Sequence, residues 1–320
     1  MPRADDYSRA DRLFHHAALS SRAVLETTFD LERTVFGSRA RRLPIDRPMF
    51  VTGLARAGTS LVTRLLHGSG AFATGTYRNM PFALAPNLWA RLGSGRTVTT
   101  RERGHGDGLE HDLDTPEAIE EVFWRTLEGD RYILRDRLIQ APPSNDTLQA
   151  FQDYMRLVVL RDGRSRYLSK NNNNVLRLQA LSRALPAARF VHPFRSPLQQ
   201  VGSLMQQHVR ALAAHAEDPF RRRYMTWLGH HEFGSDLRPM DFTAGDRATP
   251  ELHTADDWLR LWIDVYRHIL ASLGDASLLL DYDALAAEPG SHLEALAAFA
   301  GVSPGSLDNV VITVPGCHTV

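Results

Sequence analysis

The stretch Pro48-Met49-Phe50-Val51-Thr52-Gly53-Leu54-Ala55-Arg56-Ala57-Gly58-Thr59-Ser60-Leu61 constrains the fold more than any other part of this chain. A short apolar run stops at Gly53, a loop of small residues follows, and apolar periodicity resumes after Thr59. The pattern predicts a strand over 49–53, a loop over 54–58 and a helix over 59–68. The unpaired N–H groups and dipole of such a helix terminus favour an anion. The glycine spacing is that of a Walker P-loop, but Thr59 stands where the Walker lysine belongs and Arg56 places a cation inside the loop. This substitution points to a phosphate-like anion other than a nucleoside triphosphate with magnesium.

Lys+Arg and Asp+Glu both number 37, so charge gives no reason to expect nucleic acid or an acidic membrane as a partner. The one cysteine, Cys317, excludes an intrachain disulfide and a cysteine metal site. No signal-peptide pattern opens the chain and no apolar run is long enough for a membrane helix, so a soluble cytoplasmic enzyme is expected. Nothing in the sequence specifies an oligomeric state. The fourteen histidines include no HExxH, and the adjacent pairs His15-His16 and His230-His231 diverge on a helix, so no metal is expected.

Periodicity predicts helices over 8–42, 115–128, 144–162, 176–185, 197–214, 255–272 and 290–301. Tyr167–Lys170, Arg189–Phe194 and Ser277–Leu280 read as further strands. Residues 69–115 and 215–250 read as irregular. Alternation of strand and helix implies an α/β, three-layer fold with a mostly parallel central sheet. The expected organisation is a helical N-terminal appendage over 1–43 and a single P-loop-like domain over 44–320. Helical insertions include a lid or substrate insertion at about 204–250.

A second constellation runs from Arg189 to Leu204. A strand delivers Arg195 to its C-terminal edge, where open α/β sheets bind ligands, and Ser203 follows on the helix that Pro197 begins. Arginine and hydroxyl at this spacing can hold one phosphate from two sides. An ion pair at the sheet edge is an equal reading for Arg195.

With both constellations in place, the chain resembles the sulfotransferase family that uses 3′-phosphoadenylyl sulfate (PAPS). The loop Gly53–Ser60 is similar to that family's 5′-phosphosulfate loop, with Ala57 in place of the common serine, and Arg195 with Ser203 matches its 3′-phosphate motif. Leu279–Pro289 resembles the family's strand–turn segment, and Ser169-Lys170-Asn171-Asn172 before Leu185–Phe190 resembles its lysine-bearing run. The resemblance spans about 47–303 and lies closest to bacterial and protein-tyrosine-type members.

It implies a PAPS-dependent sulfotransferase acting on a hydroxyl of a small molecule or carbohydrate, with PAPS as co-substrate and no metal. Ala57, Gly58, Thr59 and Ser60 would hold the 5′-phosphosulfate, and Arg56 would neutralise the bridging oxygen. Arg195 and Ser203 would hold the 3′-phosphate, and Lys170 would stabilise the sulfuryl group. Tyr282 would lie near the nucleotide. A solvated strand-end lysine and a packed core tyrosine are the alternatives for Lys170 and Tyr282. Trp227, Phe233, Trp258 and Trp262 would wall an acceptor pocket or, as the helical stripe favours, fill the core.

The chain departs from the tyrosine-type pattern where a glutamate base is expected, since 74–81 holds no carboxylate. Candidate bases are His105, Asp107, Glu110, His111, Glu117, Glu120 and Glu121; a solvated first turn is the expected place of the helix glutamates. His105, with glycine on either side, is the candidate catalytic base. The tail 304–320 also lacks the family's basic cover for the 3′-phosphate, for which Arg221-Arg222-Arg223 is a substitute or a solvated charge run. Rival readings are a P-loop kinase of a small acceptor and a non-catalytic member binding PAPS or 3′-phosphoadenosine 5′-phosphate (PAP).

Overall fold

The structure, a computed structural model, describes residues 8–92, 118–243 and 252–307, with the backbone of short strands at 101–102 and 110–111. The chain opens with α1 (Arg9–Leu19) and α2 (Arg22–Ala40), where periodicity alone suggested one helix. The break falls at Ser20-Ser21, and Ser8 caps α1 by accepting from the Asp11 N–H. Next come β1 (Met49–Val51), α3 (Thr59–Gly68), β2 (Phe72–Ala73), α4 (Pro86–Leu92) and the short pair β3 (Arg101–Glu102) and β4 (Glu110–His111). They are followed by α5 (Glu121–Tyr132), β5 (Leu138–Ile139), α6 (Asn145–Asp162) and β6 (Arg166–Lys170).

The predicted helix over 176–185 is a 3-10 stretch, Asn172–Arg177, leading into α7 (Leu178–Ala184). Then follow β7 (Arg189–Phe194), α8 (Pro197–Glu217), α9 (Pro219–Leu228) and β8 (Met240–Asp241). Helix α9 corrects the reading of 215–250 as irregular. Asp218 accepts from the Phe220 N–H at 2.9 Å and Pro219 takes the first helical position, a start signal that the local sequence carries. The chain continues with α10 (Ala255–Ala271), β9 (Ser277–Asp281), α11 (Tyr282–Ala287) and α12 (Pro289–Ala300).

Five strands form one parallel sheet in the order β2-β6-β1-β7-β9. Met49, Phe50 and Val51 of central β1 are all fully buried, as expected for a strand covered on both faces. Phe50 points with Phe190 and Tyr167 into a core built with α2, α5, α6, α8 and α10, while Met49 and Val51 join Leu168, Leu65 and Leu296 against α3 and α12. This is the expected α/β architecture with helices on both faces. On α2 the buried residues Leu25, Phe29, Glu32 and Phe36 recur at helical spacing, and the apolar ones enter the same core as Phe50.

The order places β6 and β7 on opposite sides of β1. Register pairs Val51 with both Lys170 and Val191, so the segments leaving these three strands emerge side by side at the sheet's C-terminal edge. Such a switch point is where open α/β sheets leave a crevice.

Candidate active site

The loop after β1 is built for close approach. A Cβ on Gly53 would come within 3.2 Å of the Pro193 carbonyl oxygen, so the first turn of the loop lies directly against β7. Gly58 has φ +93° and is the N-cap of α3, and Arg56 is itself left-handed at φ +65°. A non-glycine residue there stores about 1–3 kcal/mol of strain, which surrounding contacts must hold.

Those contacts come chiefly from α8. Gln200, fully buried, donates to the Ala55 carbonyl at 2.9 Å and to the Leu54 carbonyl at 3.4 Å. Its own oxygen accepts from Trp262 Nε1 at 2.9 Å and from the Tyr266 hydroxyl at 3.4 Å. Loop carbonyls are thereby turned into the protein, which leaves the N–H side of the turn for an anion. Three residues further on, Ser203 Oγ accepts from Arg56 Nε at 3.0 Å. Sequence reading singled out Ser203 and missed Gln200, although the two share one helix face by their spacing.

Arg195 follows β7 and is held by Asp283, whose Oδ1 accepts from Nε at 3.2 Å and whose Oδ2 accepts from the Ser196 N–H at 2.8 Å. The ion-pair reading is therefore realised. The guanidinium also lies 5.0 Å from the centre of the Tyr282 ring. That ring in turn covers Gly58, where an added Cβ would fall 2.2 Å from Cδ2. Tyr282 thus packs against the phosphate-type loop and under Arg195. In this arrangement Ser203 bonds to the loop arginine, while Arg195 is set by β9 and α11.

Lys170 ends β6 beside Val51 and is only 7 % exposed, which corrects the picture of a solvated strand-end lysine. Ala57 and Thr59 are buried, and Gly58 and Ser60 half-buried. The loop donors, Arg56, Lys170 and Arg195 therefore sit at the ends of three neighbouring strands.

Beneath this edge lies a buried polar network. Glu120 and Glu121, expected in a solvated first turn, are 3 % and 1 % exposed. Glu120 accepts from the Tyr167 hydroxyl at 2.8 Å, Trp124 Nε1 at 3.0 Å and Asn174 Nδ2 at 2.8 Å. Glu121 accepts from Arg177 at 2.9 and 3.1 Å, Asn171 at 2.6 Å, Asn173 at 3.0 Å and the Tyr132 hydroxyl. Burial by itself would raise the Glu121 carboxyl, but the Arg177 charge and these donors hold it below the usual carboxylate range. Held by these donors, both glutamates shape the turn that follows Lys170. The Asn171, Asn173 and Asn174 amides are among the donors that satisfy them, so an asparagine run that looks like a plain polar turn is a partner of two buried acids.

His105, Asp107 and Glu117 lie outside the described residues, as do the side chains of Glu110 and His111. Trp258 is 2 % exposed and belongs to the core. Arg222 pairs with Asp236 at 2.7 Å. Among the described residues no cluster of three His, Cys, Asp or Glu side chains is placed to hold a metal, and none of the helices is long and apolar enough to cross a membrane.

The sheet order and the loop define an α/β protein with an anion site at its switch point. Residues 48–304 match the sequence profile of the sulfotransferase family, and the chain belongs to that family. No curated protein matches the sequence. Among solved structures the fold is similar to the sulfotransferase STF1 of Mycobacterium tuberculosis H37Rv, at 15 % identity and a TM-score of 0.57, covering 94 % of this chain and 80 % of that one. The sulfotransferase STF9 of Mycobacterium avium is also 15 % identical, with a TM-score of 0.49, covering 87 % of this chain and 71 % of that one. At 15 % identity the likeness to STF1 is one of fold.

Proposed function

We propose that this sulfotransferase takes its sulfuryl group from PAPS and passes it to a hydroxyl of a small molecule or carbohydrate. The observation that carries the reading is the convergence of the Gly53–Ser60 loop, Lys170 and Arg195 on three adjacent strand ends, with Arg56 tied to Ser203. These donors suit a ligand with two separated phosphate groups, and the P-loop has no lysine at Thr59 for a magnesium nucleotide.

PAPS supplies an activated sulfuryl group on a phosphate leaving group. The N–H groups from Ala57 to Ser60, with the Thr59 and Ser60 hydroxyls, bind the 5′ end at the α3 N-terminus. Arg56 neutralises the phosphate oxygen that takes up charge as the S–O bond breaks, and Lys170 faces the sulfuryl oxygens. Arg195 takes the 3′-phosphate beside Ser203, and Tyr282 supports both the loop and Arg195. Such a site needs positioning and charge neutralisation and no metal. For the acceptor proton the sequence offers His105.

Calorimetry tests the donor reading. PAP is expected to bind far more tightly than AMP, and Arg195→Ala to abolish most of that preference, a loss of about tenfold or more since charged hydrogen bonds are worth about 1.5–3 kcal/mol. Equal affinity of the two nucleotides for the unaltered protein would falsify it.

A further inference from the structure

One carboxylate at the C-terminal sheet edge is absorbed neither by the anion site nor by the network under it. Glu232 lies in the segment 229–236 that follows α9, and it meets the loop after β6 through Asn172, whose Nδ2 donates to Oε1 at 3.4 Å. The Asn172 carbonyl accepts from Thr52 Oγ1 at 3.2 Å, one residue before the anion loop begins, and Lys170 lies two residues upstream of Asn172. The same segment is anchored beside the loop by Asn173, which donates to the Gly229 carbonyl at 3.3 Å. Glu232 therefore stands at the strand end that carries Lys170.

Its neighbours differ from those of Glu120 and Glu121. No arginine pairs with Glu232 in the described contacts, and its side chain keeps 17 % of its exposure. The ionisable group facing it in the described contacts is His230, with Nδ1 at 3.4 Å from Oε2. The other ring nitrogen, Nε2, lies 3.1 Å from the Ala118 carbonyl, which can only accept, so Nε2 carries a hydrogen. In a neutral ring Nδ1 is then bare and points its lone pair at a carboxylate. The pair is at ease only with a proton between its members, and without that proton it is a base looking for one.

Burial alone would raise the Glu232 carboxyl, but the charge and hydrogen bond of His230 hold it down to about 2, with a smaller contribution from His231. The Glu232 carboxyl is therefore ionised and able to accept a proton, with the Nδ1 side of the His230 ring directly behind it. The ionisable groups around the pair are His231 on the same segment and, acting on His231, Arg238 and Asp236; the loop after β6 presents the neutral Asn172.

On the reading that PAPS is the donor, we propose that Glu232, backed by His230, is the general base that receives the proton of the acceptor hydroxyl. As the acceptor oxygen forms its bond to sulfur, its O–H proton passes to the Glu232 carboxylate and on to His230 Nδ1. The bond from sulfur to the 5′-phosphate oxygen breaks, and its electron pair leaves on PAP, beside Arg56. A later release of the proton to solvent restores the pair. This fills the place left by the missing glutamate of 74–81 from another part of the chain.

The test uses the full chain with sulfur-labelled PAPS and, as acceptors, phenol, a long-chain alcohol or a hexose, with PAP release as the readout. E232Q keeps the size of the side chain and is expected to cut turnover about 100-fold or more while PAP affinity stays unchanged. In E232A, added formate is expected to restore part of the rate, which a structural role would not allow. H230Q is expected to lower turnover as well, by less than E232Q, with PAP affinity unchanged. Undiminished turnover in E232Q, a parallel loss of PAP affinity, or loss of rate in His105→Gln but not in E232Q would each overturn the proposal. A protein that binds PAP yet transfers no sulfate to any acceptor overturns it while leaving the nucleotide site intact. A protein that does not distinguish PAP from AMP overturns the donor reading first.

Discussion

Gly58 shows how much one residue carries. Its positive φ and the Tyr282 ring above it are separate constraints, and they can be measured apart. Gly163, which ends α6 with φ +64°, has no atom within 4 Å of a built Cβ. Gly163→Ala should thus cost the backbone strain alone, about 1–3 kcal/mol. Gly58→Ala should cost more in thermal or denaturant unfolding and weaken PAP binding, because the ring that underlies Arg195 has to move. Equal losses at the two sites would mean that Tyr282 yields freely. The glycine pattern was legible from sequence, since spacing and context mark an anion loop. The cover over Gly58 was not, because Tyr282 reaches it from the first turn of α11, far along the chain.

Among the elements, the segment 229–236 depends on two histidines of α8. His208 Nδ1 accepts from the Gly234 N–H at 3.2 Å, and His215 Nδ1 accepts from the Ser235 N–H at 3.2 Å. The two are seven residues apart on one helix face, so successive N–H groups of the segment dock on imidazoles two turns apart. A protonated imidazole can only donate, and both bonds would be lost. Burial, with His215 and His253 nearby, lowers the pKa of His208. Burial also lowers that of His215, where Arg222 and Arg221 add to the effect and Asp236 opposes it. His231 in the same segment is pushed down to about 4 by burial and Arg238, against the pull of Glu232 and Asp236. All three are therefore neutral in the folded protein where unfolded histidines already take up protons. Their contribution is fully present above about pH 6.5 and is lost as pH falls below it, for His231 toward about 4. Melting temperature should fall between pH 7.5 and 5.5, and less so in a His208→Gln/His215→Gln double variant, whose amide oxygens still accept. A melting temperature flat across that range would refute this account. The sequence showed the histidines without their partners, because α9 was read as irregular chain.

At the scale of the whole molecule, the core depends on the N-terminal helix α2. Phe29 of α2 lies 5.7 Å from Phe123 and 6.5 Å from Tyr154, ring centre to ring centre, within the core that contains Phe50. Glu32 accepts from the N–H groups of Asn87 and Leu88, both at 2.9 Å, and so serves the first turn of α4. A chain beginning at residue 44 would expose that aromatic face and leave those amides without their acceptor. It is expected to lose its cooperative melt and to aggregate, judged by scanning calorimetry and light scattering. A sharp transition in the shortened chain would show instead that the first 43 residues are dispensable to the core.

Local chemistry was enough to place the strand, loop and helix around Gly53–Ser60, the parallel α/β order and the sulfotransferase resemblance, because turn residues and periodicity act over a few positions. Contacts between distant segments were decided only when helices packed on the sheet. Arg56 meets Ser203 across 147 positions, and Asn172 meets Glu232 across 60. Asn171 to Asn174 read alike in sequence, yet burial against Glu120 and Glu121 gives three of them fixed partners and leaves Asn172 to face Glu232. Spacing along a chain reports which face a residue occupies. What that face meets is settled by packing and by the need to satisfy every buried charge.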